Sequence, residues 1–409
     1  MSSEDRLPFR AAIRAAERAL RDLPRPDPDA AAHCERLREL IRAELAAAGG
    51  SVSFARYMDL ALYAPGLGYY SAGARKFGAE GDFVTAPEIS PLFGRCVARQ
   101  CRQVLELTGG GDILEIGAGT GALAADLLGE LEHLGQLPER YLILELSGEL
   151  RERQQALLRE RLPHLLPRVR WLERLPEPGF QGVVLGNEVL DAMPVHRFRW
   201  TQQGVYELRV AWEGDDFGWR AEPAEPRLAD AVAALHAEVG EAWPDGFESE
   251  INLGLAAWVR SLGERLARGV VLLVDYGYPR REYYHPQRAM GTLVCHYRHR
   301  AHADPLLLPG LQDITAFVDF TAVAEAAVAA DLSVAGYTTQ AHFLLGCGLG
   351  ELLAASDPAD AQRHLTLTRQ AKILTLPGEM GERFKAIALA RGIEAPLLGF
   401  VLQDHRYRL

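Results

Sequence analysis

Two groups of residues in this 409-residue chain have the types and spacing of a reactive site. The first is Glu115 followed by Gly117-Ala118-Gly119-Thr120-Gly121; the second is Asn187-Glu188 with Asp191 three positions on. In the first group, three glycines at alternate positions let the backbone turn sharply and pass close to a ligand. A helical stretch, Ala122–Leu134, begins at once behind them, so unpaired N–H groups and the positive end of a helix dipole face the turn. Ahead of the turn, Asp112–Ile116 reads as a short apolar strand. Strand, glycine turn and helix in that order make a site for an adenosine-type cofactor at the carboxyl end of a parallel strand. Glu145 lies near the end of the next predicted strand, Arg140–Leu146, where an acid can accept hydrogen bonds from both ribose hydroxyls. A ligand-free glycine turn and a solvated strand-end acid are the plainer alternatives.

The second group suits a cationic acceptor. A guanidinium stays protonated, with a free pKa above ~12. Carboxylates grip it through paired hydrogen bonds and localise its charge. Glu188 and Asp191 follow the predicted strand Gln181–Leu185, and in a helical turn their three-residue separation puts both on one face. Glu188 is the stronger candidate, and Asn187 either orients the acids or touches the cofactor. Alternatively, the pair caps the next segment or meets Arg197 or Arg199. Asp275 and Tyr276 end the predicted strand Gly269–Tyr276 on the same edge. They line the mouth of a substrate site, or they are a strand-end acid and a core aromatic. Asp313, within Gln312-Asp313-Ile314-Thr315 (a strand or a helix entry), is a further candidate for substrate contact.

The glycine spacing is G-x-G-x-G, one step shorter than the G-x-G-x-x-G dinucleotide fingerprint. NAD is therefore the second choice of ligand, and the stretch resembles motif I of the class I S-adenosylmethionine-dependent methyltransferases. In that family the first-strand acid, here Glu115, lies near the methionine part of the cofactor. Further motifs are Gly66-Leu67-Gly68-Tyr69-Tyr70, Phe77-Gly78 and the run Gly81-Asp82-Phe83 through Gly94. Gly186-Asn187-Glu188-Val189-Leu190-Asp191-Ala192-Met193-Pro194, Asp275-Tyr276-Gly277, Tyr297-Arg298-His299-Arg300, Gln312–Ala316 and Val318-Asp319-Phe320 complete the set. Together these closely resemble the MidA-like (DUF185-type) family, over roughly residues 35–390. That family includes the mitochondrial complex I assembly factor with protein arginine methyltransferase activity.

The resemblance implies S-adenosyl-L-methionine as methyl donor and, as acceptor, an arginine in the NADH dehydrogenase subunit of the 49 kDa type. It also implies cofactor contacts from Thr85, Pro87 and Glu88, although a purely structural loop is the alternative there. Two other functions stay open: a cofactor-binding assembly factor with little catalysis, and a methyltransferase for small molecules. Cys295-His296-x-x-His299-x-x-His302 sets four potential ligands close together, yet no second cluster completes a zinc pattern, and no metal is expected.

The elements that must position these residues alternate as strand and helix from Asp112 to Leu185, which predicts an α/β, Rossmann-like methyltransferase sheet with helices on its faces. Helices are expected over Arg10–Leu20, Ala31–Ala47, Phe54–Leu62 (capped by Ser51 or Ser53) and Leu92–Leu107, with a long ordered loop over 63–94. Between the fourth and fifth core strands, His196–Trp200, Val205–Trp212 and Phe217–Ala221 read as an antiparallel β insertion. Helices are expected at Arg227–Val239 and Asn252–Arg268, and closing strands at Ser333–Thr338 and Arg383–Ala390, the last equally readable as helix. The expected division is a helical region with a cofactor-covering loop (1–108), a first core part (109–195), the insertion (196–268) and a second core part with substrate loops and C-terminal helices (269–409).

Composition narrows the partners. A formal net charge of −11 argues against nucleic acid, whose phosphates need a basic face, and suits a cationic protein segment. Five cysteines without C-x-x-C spacing read as reduced thiols. The apolar runs are too short to span a bilayer, and the N-terminal sequence has no signal core. The expected location is the cytoplasm of a bacterial-type cell, and mitochondrial in eukaryotic relatives. Oligomeric state is not legible.

Overall fold

The computed structural model describes residues 23–72, 84–355 and 360–409. The expected helix Arg10–Leu20 and the motif residues Phe77, Gly78, Gly81, Asp82 and Phe83 lie outside them. The described residues group into two compact units. One comprises residues 84–191, 254–283 and 317–409; the other holds the preceding N-terminal part with 192–253 and 284–316.

The first unit is built on the predicted alternation. Its strands are β1 (Asp112–Ile116), β2 (Tyr141–Leu144), β3 (Val169–Leu172), β4 (Phe180–Asn187), β5 (Leu266–Tyr278), β6 (Ser333–Thr339) and β7 (Phe384–Arg391). They lie in the order β6-β7-β5-β4-β1-β2-β3. β1 to β5 pair in parallel, whereas β7 runs antiparallel to both neighbours. The two-residue strand Val318–Asp319 adds to the end of β5. Every residue of β1 is buried, as are Gly269–Asp275 of β5. Such continuous runs mark strands covered by helices, where alternation gives way to all-apolar stretches. Helices Pro91–Thr108 and Ala122–His133 pack together, and the first also rests on β4 and β5. The core gathers Phe93, Val97, Leu127, Leu128, Ile143, Val183, Leu272 and Phe343. The alanine-rich stretch near the C-terminus resolves as β7 because each of its central residues is buried in the sheet.

Connections reverse at one place. β1 leads outward to β2 and β3, while β4 leads the other way to β5. The ends of β1 and β4, paired side by side from Asp112–Gly182 to Ile116–Gly186, therefore flank a crevice at the carboxyl edge, where open α/β sheets bind ligands.

In the other unit, helix Pro28–Ala47 starts at Asp27, whose side chain accepts from Ala30 N–H, and stops before Gly49 and Gly50, both at positive φ. Ser53 caps helix Phe54–Tyr63, accepting from Arg56 N–H at 3.1 Å. Ser51, the other expected cap, belongs instead to strand Ser51–Ser53 on the antiparallel sheet. That sheet contains the three predicted insertion strands, observed at His196–Thr201, Gly204–Glu213 and Asp216–Pro223, together with Phe247–Ile251. A smaller sheet joins Val294–Tyr297, Arg300–His302 and Asp313–Thr315. Within the span expected to be loop up to residue 94, helices occupy Ala86–Ile89 and the start of Pro91–Thr108. Among the described residues, no helix is long and apolar enough to cross a membrane.

One close approach holds the centre of the sheet. Gly269 in β5 sits against Gly182 in β4, and a Cβ there would lie 1.9 Å from the Gly182 carbonyl oxygen. Gly129, in helix Ala122–His133, has nothing within 4 Å of such a Cβ. Gly269→Ala should therefore cost about 2 kcal/mol or more of unfolding free energy in urea, while Gly129→Ala should be neutral or stabilising by up to about 1 kcal/mol. Equal effects of the two changes would contradict this packing.

Candidate active site

The turn after β1 has all three motif glycines in the left-handed region, with φ of 67° at Gly117, 53° at Gly119 and 87° at Gly121. Its start is pinned by Gly117 N–H donating to the Leu144 carbonyl at 3.2 Å, and its end by Gly121 N–H donating to the Ala118 carbonyl at 2.8 Å. Ala118 is buried and packs into the core, whereas Gly117 is exposed and Thr120 half-buried. A Cβ at Gly119 would meet nothing within 4 Å. The glycine there answers a backbone conformation, and the space beside it is open to a ligand.

A buried glutamine ties the turn to the next strand. Gln154 donates through Nε2 to the Gly119 carbonyl at 2.9 Å and to Glu145 Oε2 at 3.1 Å, and its Oε1 accepts from the Trp171 indole at 2.9 Å. Glu145 also accepts from Ser147 N–H at 2.8 Å. Its carboxyl is held above the usual range, chiefly by burial. A carboxylate offers about four acceptor positions, so two remain for a diol. Neither Gln154 nor Trp171 was anticipated from sequence. The available signal was a glutamine on an apolar stripe: Leu150, Gln154 and Leu158 are the buried positions of helix Gly148–Arg161.

Glu115 points into the sheet's interior. It is 3% exposed and accepts the Tyr141 hydroxyl at 2.7 Å. Burial pushes its carboxyl up to about 7, opposed by the Tyr141 bond and assisted by the charge of Glu145.

The segment after β4 is not helical. Glu188 adopts φ 53°, and Val189 to Asp191 form an irregular turn. The single-face argument for the two acids fails for that reason, and a different device holds them. Glu188 N–H donates to the Val274 carbonyl at 2.9 Å. The next three amides, Val189, Leu190 and Asp191, all donate to Asp275 Oδ2, at 3.1, 2.9 and 3.3 Å. Asn187 Nδ2 donates to Glu188 Oε1 at 3.1 Å, and Asn187 Oδ1 is buried with no partner among the described residues. Val189 brings this turn against the glycine turn: its Cγ2 lies 3.5 Å from the place a Cβ of Gly117 would occupy. Glu188 is half-buried and Asp191 buried. Arg197 and Arg199, the alternative partners for these acids, are engaged by Glu248, at 2.9 and 2.6 Å.

The remaining candidates are placed as follows. Asp275 is 1% exposed. Tyr276 is half-buried, with its ring edge-on to Phe317 and Phe384. Thr85 and Glu88 form a capping box on helix Ala86–Ile89, where Glu88 Oε2 accepts from Thr85 N–H at 3.3 Å; Pro87 occupies its first turn. That helix packs on Ala122–His133, directly behind the glycine turn. Asp313 belongs to the other unit, where its carboxylate accepts the Tyr70 hydroxyl at 2.8 Å. Cys295 and His302 face each other across a hairpin of the small sheet. Among the described residues no group of three or more His, Cys, Asp or Glu is arranged to hold a metal.

The open glycine turn, the strand-end Glu145 and the orphaned Asn187 Oδ1 fit an adenosyl cofactor with a polar tail. Known proteins point the same way. A family model described as "Putative S-adenosyl-L-methionine-dependent methyltransferase" matches residues 96–338. A crystal structure from Burkholderia thailandensis, bound to S-adenosyl-homocysteine, is 48% identical with a TM-score of 0.91, and the match covers 95% of this chain and 100% of that one. A Drosophila melanogaster relative named Protein arginine methyltransferase NDUFAF7 homolog, mitochondrial, is 29% identical over 92% of each chain. A Danio rerio relative named Protein arginine methyltransferase NDUFAF7, mitochondrial, is 30% identical over 83% of each.

Glu115 gives a measurable signature. An acid raised on folding keeps its proton where the unfolded chain, near 4.5, has lost it. Native stability therefore falls as pH rises from about 4.5 through about 7. Glu115→Gln removes that titration and keeps a partner for Tyr141. The variant's unfolding free energy in urea should gain on wild type by about 3 kcal/mol between pH 5 and pH 8; a flat difference across that range would rule the raised value out.

Proposed function

The chain belongs to the S-adenosyl-L-methionine-dependent methyltransferase family, with the class I fold and that donor, and we propose that it transfers the methyl group to an arginine of a protein. The observation that carries the reading is the acid turn Glu188–Asp191, held beside the glycine turn through Val189. Protein arginine methyltransferases among its relatives support the acceptor type. By extension from the sequence resemblance, the acceptor is a respiratory NADH dehydrogenase subunit of the 49 kDa type. The place of action is the cytoplasm of a bacterial-type cell.

S-adenosylmethionine supplies a methyl group already activated on a sulfonium. The chain's residues do the rest. Gly117 to Gly121 let the backbone run close under the cofactor, with Ala118 anchoring the turn from below. Glu145 takes the ribose hydroxyls, held in position by Gln154. Asn187 offers its buried Oδ1 to a donor on the cofactor. Glu115, with Tyr141, supports the turn from inside the sheet. Thr85, Pro87 and Glu88, at the start of the short helix that packs on Ala122–His133, contact the cofactor. Glu188 and Asp191 grip the acceptor's guanidinium, orient one nitrogen and localise the charge on the others. Tyr276 lies at the end of β5 as an aromatic border of the acceptor site, and Asp313 is a further residue that we assign to substrate contact.

Incubation with S-adenosylmethionine labelled in its methyl group and a lysate of cells lacking this protein tests the reading. Label should enter protein and be recovered as methylarginine after hydrolysis; label only in small molecules, or none despite cofactor binding, would overturn it. Glu188→Gln should retain S-adenosylhomocysteine affinity while transfer falls by about 100-fold or more. A full transfer rate in this variant removes Glu188 from the chemistry.

A further inference from the structure

One side chain ties three strand ends together. Gln154, on helix Gly148–Arg161, is fully buried. Its Nε2 donates to the Gly119 carbonyl, in the turn after β1, at 2.9 Å and to Glu145 Oε2, just past β2, at 3.1 Å. Its Oε1 accepts from the Trp171 indole, in β3, at 2.9 Å. The three partners fix which way the amide faces, because two are acceptors and one is a donor. A glutamate in this place would set oxygen against oxygen, and a lysine would leave the indole without its acceptor. The fit extends to the backbone, since a Cβ at Gly121 would lie 3.2 to 3.4 Å from Gln154 Cγ, Cα and Cβ.

Both ends of this link bear on a ligand in the crevice. Ser147 N–H holds Glu145 Oε1 at 2.8 Å while Gln154 holds Oε2, so neither oxygen can swing. The lone pairs that remain are acceptors at fixed places, a matched pair for two adjacent hydroxyls. At the other end, the Gly119 carbonyl points at Gln154. In a trans peptide the following N–H points the opposite way. Thr120 N–H therefore turns away from Gln154, and it has no partner among the described residues. A donor is left for the cofactor beside the open space at Gly119.

We propose that Gln154 is a positioning residue for the methyl donor: it locks Glu145 so that tight binding requires two free, adjacent ribose hydroxyls, and it turns the Thr120 amide toward the ligand. This rests on the reading of Glu145 as the ribose acid. A ribose with a hydroxyl missing or phosphorylated cannot satisfy both locked oxygens, so donors of that kind are refused.

Calorimetry of the full chain with S-adenosylhomocysteine and with its 2′,3′-dideoxy form tests this. Wild type should prefer the natural ligand by about 30-fold, the worth of two hydrogen bonds to a carboxyl group. Gln154→Met keeps the volume and removes all three hydrogen bonds. Its affinity for S-adenosylhomocysteine should fall about 30-fold and for the dideoxy form only about threefold, so the preference shrinks to about threefold. A residue that merely props up the fold would weaken both ligands alike and leave the preference whole. Gln154→Glu keeps an acceptor for the indole and loses at least one donated bond; the same shrinkage is expected of it, and it carries the test if Gln154→Met does not fold. Unchanged affinity for S-adenosylhomocysteine in either variant, or a preference that stays at the wild-type value, overturns the inference. A wild type indifferent to the two hydroxyls instead removes the ribose reading of Glu145 beneath it, so the two failures are told apart.

Discussion

The constraint on which the rest depends is the reversal of connection between β1 and β4. Neighbouring parallel strands whose chains depart in opposite directions leave their carboxyl ends uncovered, and whatever follows them must share one crevice. Here the two followers are a turn that needs three left-handed glycines and a turn that carries two acids. Val189 against Gly117 is the point where they touch. A Cβ at Gly117 would meet Val189 Cγ2 at an ordinary 3.5 Å, so the glycine there answers its left-handed backbone rather than a shortage of space.

Around this crevice the protein buries several acids that are not neutralised by a simple ion pair. Glu115 leans on a tyrosine hydroxyl, Glu145 on an amide and a glutamine, and Asp275 on four backbone amides. Each is raised by burial, and each is also hydrogen-bonded in a way that favours the anion. Such groups cost folding free energy. By contrast, Asp112 is matched conventionally by Arg140, and Glu248 by Arg197 and Arg199.

Much of this was legible in the sequence because the signals were local. The glycine turn, the apolar runs of β1 and β5 and the three insertion strands are each written in consecutive residues. The strands Ser51–Ser53 and Phe247–Ile251 were not, since their pairing partners lie far along the chain. The acid turn is found by residue type, but its conformation is not: the three-residue spacing shares a face only in a helical turn, whereas Glu188 sits at φ 53° and the amides that follow meet Asp275, more than eighty residues on. Gln154 was overlooked for a similar reason. A single glutamine on an apolar stripe is ordinary until its three partners, Gly119, Glu145 and Trp171, are brought around it.

The central claim is that both turns serve one reaction site, cofactor on the glycines and acceptor on the acids. A crystal structure of this protein with S-adenosylhomocysteine tests it most directly. The account predicts the ligand's chain lying over Gly117 to Gly121, its ribose hydroxyls on Glu145, and its sulfur facing the carboxylates of Glu188 and Asp191. A ligand seated elsewhere, or a sulfur turned away from both acids, would contradict it.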